Sequence, residues 1–230
     1  MNAAVLIPAY NEAETITATV KAAAQIPGVS QVVVINDGST DDTGRLAEQA
    51  GARVVDMPTN MGKGAALNKG WHSVSAPFYL LLDGDLGETA RLAYELLVPV
   101  FAGEADMTIA HFAAHQGHNE GTMGFGIVRR FAAWAIRRYG GIRLNSPLSG
   151  QRAVNRAVLE TVGGFAPGFG VEIALTLQAA WAGFRIQEVP LAMQHRATGR
   201  GLDGFCHRGR QFVQIISTLR RCLKERSSVC

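Results

Sequence analysis

The sequence predicts an α/β domain with a mostly parallel central sheet flanked by helices, closed by an amphipathic helix at the C-terminal end. Three observations carry this expectation. Short valine-rich apolar runs alternate with segments of helical period through the first half of the chain, the pattern of strand–helix–strand crossovers. The runs are apolar at nearly every position, as in strands buried on both faces. No linker or internal repeat interrupts the 230 residues, and 47% hydrophobic against 18% charged content is that of a folded protein. One core can serve a chain of this length. The expectation is a single domain over 1–230, with a first half to 110, a second portion over 111–204 and a terminal helix over 205–230.

The elements follow in order. "AAVLIPAY" (3–10) and "QVVVIND" (31–37) read as buried parallel strands. Between them Asn11 and Glu14 form a capping box, and Ile16, Val20, Ala23 and Ala24 give a helix an apolar face that stops near Pro27-Gly28. In "GSTDDTGRLAEQAG", Ser39 or Thr40 caps a second helix that Gly51 ends. "RVVDM" (53–57) is a third strand, "GAALNKGWHSV" (64–74) a third helix and "FYLLLD" (78–83) a fourth strand. A helix around 88–101 and a strand at "MTIAH" (107–111) come next.

The second half is less regular. "HQGHNEGTMGFG" (115–126) reads as a loop. A helix over about 126–138 places Ile127, Phe131 and Trp134 on one side and arginines on the others. The segment 144–165 reads as a turn-rich approach to a short helix, 170–184 as a helix and 185–195 as a strand. "RATGRGLDG" (196–204) is a Gly-rich loop. Phe212, Ile215, Ile216, Leu219 and Leu223 then follow i, i+3, i+4, i+7, i+11 along the last helix.

Charge is unevenly placed: residues 1–195 sum to −3 and the remainder to +6. A basic tail suits an anionic substrate or a membrane surface, and equally a solvated helix face. No stretch approaches the roughly 18 apolar residues that span a bilayer, and the N-terminus does not read as a signal peptide. Cys206, Cys222 and Cys230 show no C-x-x-C spacing, which fits a reducing cytosol.

In parallel sheets ligands bind beyond the carboxyl ends of the strands. Those ends carry Pro8-Ala9-Tyr10-Asn11-Glu12, Asn36-Asp37-Gly38-Ser39 and Asp83-Gly84-Asp85, so all three clusters should face one crevice. Asp83 and Asp85 fit either a strand-end turn or a site for Mg²⁺ or Mn²⁺, which prefer hard carboxylate oxygens. Asp37 is a turn residue, or an acceptor for the N–H edge of a nucleobase. Lys63, between two glycines before a helix, is placed to meet phosphate. His195 ends the last strand, either as a structural residue or as a completion of the metal site. Arg196 and Arg200 in the following loop could close over a diphosphate. Glu172 opens a helix, as a favourable first-turn acid or as a carboxylate presented to an acceptor hydroxyl.

"IPAYNEAETI", "VINDGSTDDT", "NMGKGAALNKG" and "LLLDGDLGE", in that order and spacing, resemble the N-terminal motifs of the family 2 glycosyltransferases. Residues 149–200 match more loosely. The resemblance implies a GT-A (Rossmann-like) fold and a hexosyltransferase using a nucleotide-diphosphate sugar. Pro8, Tyr10 and Glu12 would wall the nucleotide pocket, Asp37 would meet the base, and Asp83 and Asp85 would hold metal and diphosphate. Two branches compete. The polyprenyl-phosphate type has an "SGFR" motif that corresponds to Ser149-Gly150-Gln151-Arg152, which places Gly150, Gln151 and Arg152 at the acceptor. The glucosyl-3-phosphoglycerate synthase type is closer to residues 195–212, and there a histidine completes the metal site, as His195 would here. Gln151 stands where the polyprenyl type has Phe, and the chain is short for the phosphoglycerate type. The partners implied are a UDP- or GDP-sugar and an anionic acceptor, with no nucleic acid. Peripheral membrane contact through the basic last helix and a homodimer are further expectations, in a cytoplasmic setting. A nucleotidyltransferase would want a Gly-rich basic loop after the first strand, where this chain has "PAYNEAE". A non-catalytic sugar-nucleotide binder would keep the pocket without turnover.

Overall fold

The computed structural model describes residues 1–112, 125–193 and 203–227, without the side chains of 125, 169, 203–213 and 227. The described strands form one seven-stranded sheet in the order β3-β2-β1-β4-β6-β5-β7. They are β1 (Ala3–Ala9), β2 (Val29–Asn36), β3 (Arg53–Asp56), β4 (Phe78–Leu81), β5 (Met107–Phe112), β6 (Arg152–Asn155) and β7 (Ile186–Leu191). All pairings are parallel except those of β6, which runs antiparallel between β4 and β5.

Alternation along each strand sends side chains to both faces. Ala3, Val5, Ile7 and Ala9 of β1 join one core with α1 (Ile16–Ala24) and α4 (Tyr94–Phe101). Ala4 and Leu6 join the other with α3 (Lys63–Ser73), α6 (Arg156–Val162) and α7 (Val171–Trp181). A short helix, α2 (Thr43–Gln49), covers the β2–β3 crossover. The buried residues of a third cluster all come from helices: Val128, Ala132 and Ala135 of α5 (Phe125–Ala135) pack with Ile173 and Leu177 of α7. Ile215 and Leu219 of α8 (Asp203–Ser227) complete it. The apolar stripe of α8 is thus spent on the protein's own core, not presented outward, across its described side chains. Among the described residues no helix is long and apolar enough to cross a membrane.

Several local expectations are corrected. The Asn11–Glu14 capping box does not form: α1 starts at Ile16 behind Thr15, which makes no side-chain cap bond. Asn11 instead sits at φ +56° and accepts from the Thr40 N–H at 2.8 Å, while its own N–H donates to Ser39 Oγ at 3.1 Å. Ser39 and Thr40 are therefore used across the crevice mouth rather than as caps, and Asp42 stands at the N-cap of α2. The helix around 88–101 is a 3-10 turn over Gly87–Ala93 followed by α4. The segment 144–165 holds a strand, β6, that sequence reading missed. Four residues beginning with an arginine and running straight into α6 leave no period to detect. On α5 the buried face is Val128, Ala132 and Ala135, whereas Ile127 and Trp134 point outward.

Candidate active site

The three strand-end clusters do meet. Pro8, Ala9, Tyr10, Asp37, residues 60–63, Asp83, Gly168 and Gln214 line one cleft of about 600 Å³. Its mouth is pinned by bonds between the turns after β1 and β2. Glu12 N–H donates to Thr43 Oγ1 at 2.8 Å and Ala13 N–H to Asp41 Oδ2 at 3.2 Å. Glu12 stands behind the cleft wall, its carboxylate accepting from Thr15 Oγ1 at 3.3 Å.

Asp37 is buried and holds the loop before α3: Met61 N–H and Gly62 N–H donate to its two oxygens, both at 2.8 Å. Gly62 at φ +86° turns the chain so that both N–H groups reach one carboxylate. That arrangement aims the start of α3, and with it Lys63, at the end of β4.

The turn at Asp83-Gly84-Asp85 is braced from α1. Thr15 Oγ1 and Thr19 Oγ1 donate to Gly84 O at 3.1 and 2.9 Å, and Thr19 Oγ1 accepts from Gly87 N–H at 2.8 Å. Asp83 is oriented from two sides. Lys63 Nζ donates to Oδ1 at 2.7 Å, and Gln151 Nε2 donates to Oδ2 at 2.6 Å. Lys63 also pairs with Glu172 Oε1 at 3.1 Å. Burial alone would pull the Lys63 ammonium pKa down. The charges of Asp83 and Glu172 outweigh it and hold the pKa above the usual lysine value, so Lys63 is a fixed cation.

Gly150 makes this convergence possible. A Cβ there would collide with Lys63 Nζ and stand 2.9 Å from Asp83 Oδ2. Gln151 is fully buried and accepts from Ser149 Oγ at 3.2 Å. Arg152 is buried beneath it. It donates to Ser149 O at 2.9 Å, to Thr176 Oγ1 at 2.8 Å and to Pro147 O at 3.2 Å. Burial draws its pKa down to about 10 against the opposing pull of Glu172 and Glu188. The trio expected at the acceptor therefore supports the floor of the site: Gln151 through Asp83, Arg152 through the 147–149 turn. Glu172, in the first turn of α7, does not line the main cleft. Its side chain is 12% exposed beside a small cavity under Lys63.

His195, Arg196 and Arg200 lie outside the described residues. Among the described residues no three His, Cys, Asp or Glu side chains converge as a metal cage. The donor set nevertheless suits a hard ion. Asp83 offers carboxylate oxygens at the cleft, and Asp85 stands two residues on in the same turn, half-buried and not among the lining residues. Mg²⁺ and Mn²⁺ typically take few protein ligands and complete their shell with water and substrate phosphate. The residues that sequence reading did not single out are Thr15 and Thr19, which brace the turn, and Gln214 and Gly168, which wall the cleft. Gln214 comes from α8, and nothing in the primary structure ties it to the strand ends.

A family model described as Glycosyl transferase family 2 matches residues 4–162. The chain is 34% identical to glycosyltransferase AglJ of Haloferax volcanii over 196 residues, 85% of this chain and 64% of that protein. It is 32% identical to glucosyl-3-phosphoglycerate synthase of Mycobacterium tuberculosis over 193 residues, 75% of this chain and 59% of that protein. It thus spans about three fifths of the length of these curated relatives. The crystal structure of the mycobacterial synthase with Mg²⁺ and uridine diphosphate superposes at a TM-score of 0.80. That match has 31% identity and covers 96% of this chain and 79% of that one. The same enzyme with Mn²⁺, UDP-glucose and phosphoglyceric acid gives 0.79 at 32% identity, with the same coverage. The family match takes in β1 through β6 and the whole Asp83-Gly84-Asp85 turn, so the chain belongs to the family 2 glycosyltransferases.

Proposed function

We propose that the protein transfers a glycosyl group from a nucleotide-diphosphate sugar, of the UDP-glucose or GDP-mannose type, to a small anionic acceptor of the phosphoglycerate class. The observation that carries this is the cleft itself, in which Asp83 at the end of β4 is held between Lys63 and Gln151 opposite the Pro8–Tyr10 wall. The mycobacterial synthase complexes with UDP-glucose and phosphoglyceric acid support the choice of donor and acceptor class.

In this reading the nucleotide lies along Pro8, Tyr10 and the 60–62 loop, and Asp37 shapes the base pocket by fixing that loop. Asp83 and Asp85 hold Mg²⁺ or Mn²⁺, with His195 as the third protein ligand. When bound, the ion neutralises charge on the departing diphosphate. Lys63 adds a permanent positive charge at the same end of the cleft. That charge gains value as the glycosyl–oxygen bond breaks, because it is oriented before the reaction begins. Arg196 and Arg200 approach the diphosphate from the following loop. Glu172, expected to present its carboxylate to the acceptor hydroxyl as general base or as an orienting group, is paired with Lys63 in this structure, which supports a positioning role exerted through the ammonium. The chain divides into a donor half to 110, an acceptor half over 111–204 and the terminal helix, in a cytoplasmic enzyme.

The test is a panel of UDP- and GDP-sugars with Mg²⁺ or Mn²⁺, scored by nucleoside-diphosphate release with 3-phosphoglycerate or a short polyprenyl phosphate as acceptor. Acceptor-dependent release with 3-phosphoglycerate is expected, and Asp85→Ala should lower it by at least 10²-fold, the scale of losing one electrostatic stabiliser of the transition state. Undiminished turnover in Asp85→Ala would remove the metal role. Release only with the polyprenyl phosphate would move the acceptor to the lipid branch, and binding without turnover would leave a sugar-nucleotide binder.

A further inference from the structure

Peripheral membrane contact through the basic last helix is one expectation from the sequence, yet among its described apolar side chains Ile215 and Leu219 are buried against α5 and α7, and Ile216 and Leu223 are half-buried. The exposed apolar residues of this helical layer are on α5 instead. Ile127 is 68% and Trp134 45% exposed. At 100° per residue, Ile127, Arg130 and Trp134 fall within an arc of about 60°, on the side opposite Val128, Ala132 and Ala135. The helix therefore has two working faces. One is consumed by α7 and α8, and the other carries an aliphatic side chain, an indole and an arginine to solvent.

Beside that outer face, Arg130, Ala133, Trp134 and Arg137 join Arg143, Leu144 and Asn145 around a shallow cavity of about 380 Å³. The guanidinium groups of Arg130, Arg137 and Arg143 make no ion pair or hydrogen bond among the described residues. The neighbouring carboxylate, Glu188, is occupied by the backbone N–H groups of Asn145 and Ser146 at 2.8 and 2.7 Å. The local sequence is charged one way only: residues 121–159 contain seven arginines and no Asp or Glu. The field continues onto α8, where Arg226 stacks over Trp181 at 4.8 Å and reaches Tyr139 O, while Tyr139 meets Trp134 edge-on. Arg220, Arg221 and Lys224 are exposed on the same helix, with Glu225 as its one exposed acid among the described side chains.

We propose that this outer face of α5, with the cavity bounded by Arg143, is a docking surface for an anionic phospholipid bilayer. The three arginines take headgroup phosphates, for which guanidinium is geometrically suited, while Trp134 and Ile127 enter the interfacial zone. An exposed aliphatic side chain has no use against a nucleic-acid backbone, and a carboxylate-free rim would repel no lipid phosphate. The cavity shares no lining residue with the donor cleft, so docking leaves the cleft open to soluble substrates, and the inference does not depend on which acceptor the enzyme uses.

The experiment is co-sedimentation of the full chain with vesicles of phosphatidylcholine alone and of phosphatidylcholine mixed with phosphatidylglycerol, at low and physiological salt. Binding to the mixed vesicles only is expected, weakened by salt. Each basic side chain at a membrane surface contributes roughly fivefold in partitioning. The triple variant Arg130→Ser/Arg137→Ser/Arg143→Ser should therefore lose roughly 100-fold. Trp134→Ser should also weaken binding, and it should abolish the lipid-induced blue shift in tryptophan fluorescence. Nucleoside-diphosphate release in solution should be unchanged in both variants, since neither touches the cleft. Thermal melting should be unchanged in the triple variant, whose arginines have no ion pair or hydrogen bond among the described residues to lose. The proposal fails if the wild type ignores anionic vesicles, or if the triple variant partitions as the wild type does, which would give the contact to the tail. It fails too if single-stranded RNA or an acidic polypeptide is held through the same arginines while vesicles are not.

Discussion

At the scale of single residues, the site is organised around how Asp83 is held. Lys63 and Gln151 each donate to a different oxygen of its carboxylate, and Gly150 leaves the space that lets Lys63 come so close. Two variants separate charge from geometry. Gln151→Leu removes the donor to Oδ2 without adding charge. Loss of such a supporting bond typically weakens a metal site by roughly 10–100-fold, so the Mn²⁺ concentration for half-maximal activity should rise by that factor with little change in melting temperature. Gly150→Ala pushes on Lys63 and Asp83 together, and a displacement near 1 Å at a reacting centre costs on the order of 10²-fold in rate. Here kcat should fall more than metal affinity does. If instead Gly150→Ala retains full kcat, the close approach is incidental. Arg152 belongs to a different class, because its bonds run to Ser149 O, Pro147 O and Thr176 Oγ1 within the core. Arg152→Met should cost about 3–5 kcal/mol by leaving buried acceptors unpaired, read as a large drop in melting temperature.

Among the elements, β6 shows why the sequence was only partly legible. The strands β1, β2 and β4 announce themselves, because each is an apolar run buried on both faces and bounded by turn residues. β6 is four residues long and carries Arg152, whose side chain is buried by hydrogen bonding and not by hydrophobicity. Periodicity cannot find such a strand. A neighbouring device was equally invisible. Asp106, just before β5, accepts from Arg185 N–H, Nε and a terminal nitrogen at 2.8–3.0 Å and from Asn155 Nδ2 at 3.1 Å. It thereby clasps the ends of β5, β6 and β7. The Arg185 bonds, set against burial, hold the Asp106 carboxyl below its usual pKa. A depressed carboxylate pKa adds stability above the unfolded value of about 3.9 and loses it as pH falls through the folded value. Asp106→Asn should therefore melt lower than the wild type at neutral pH, with the gap closing as the pH is lowered below about 4. A gap constant with pH would mean that packing, not charge, is what the clasp supplies.

For the molecule as a whole, the crevice at the strand ends was readable because three polar clusters occupy equivalent places in repeated β-α units. Its fourth wall was not readable, because Gln214 reaches the cleft from α8, about 130 residues beyond Asp83. That helix is packed tightly where it passes the site: a Cβ on Gly170 would run into Thr218, and Ile215 and Leu219 are buried against α5 and α7. Donor binding and the docking of α8 should then be linked, since any ligand that touches Gln214 favours the docked helix and the docked helix favours the ligand by the same factor. Leu219→Ala tests this at a distance from the cleft, because Leu219 is not among its lining residues. The substitution should cost about 2–5 kcal/mol, and much of that loss should fall on α8. Amide exchange over 214–226 should speed up in the variant. Adding uridine or guanosine diphosphate with Mg²⁺ should slow exchange there in the wild type, and the variant should bind the nucleotide measurably more weakly. A variant that melts lower yet binds nucleotide with unchanged affinity, with the same exchange protection over α8, would make the helix a passive cover. In that case the nucleotide would be held by the sheet edge alone.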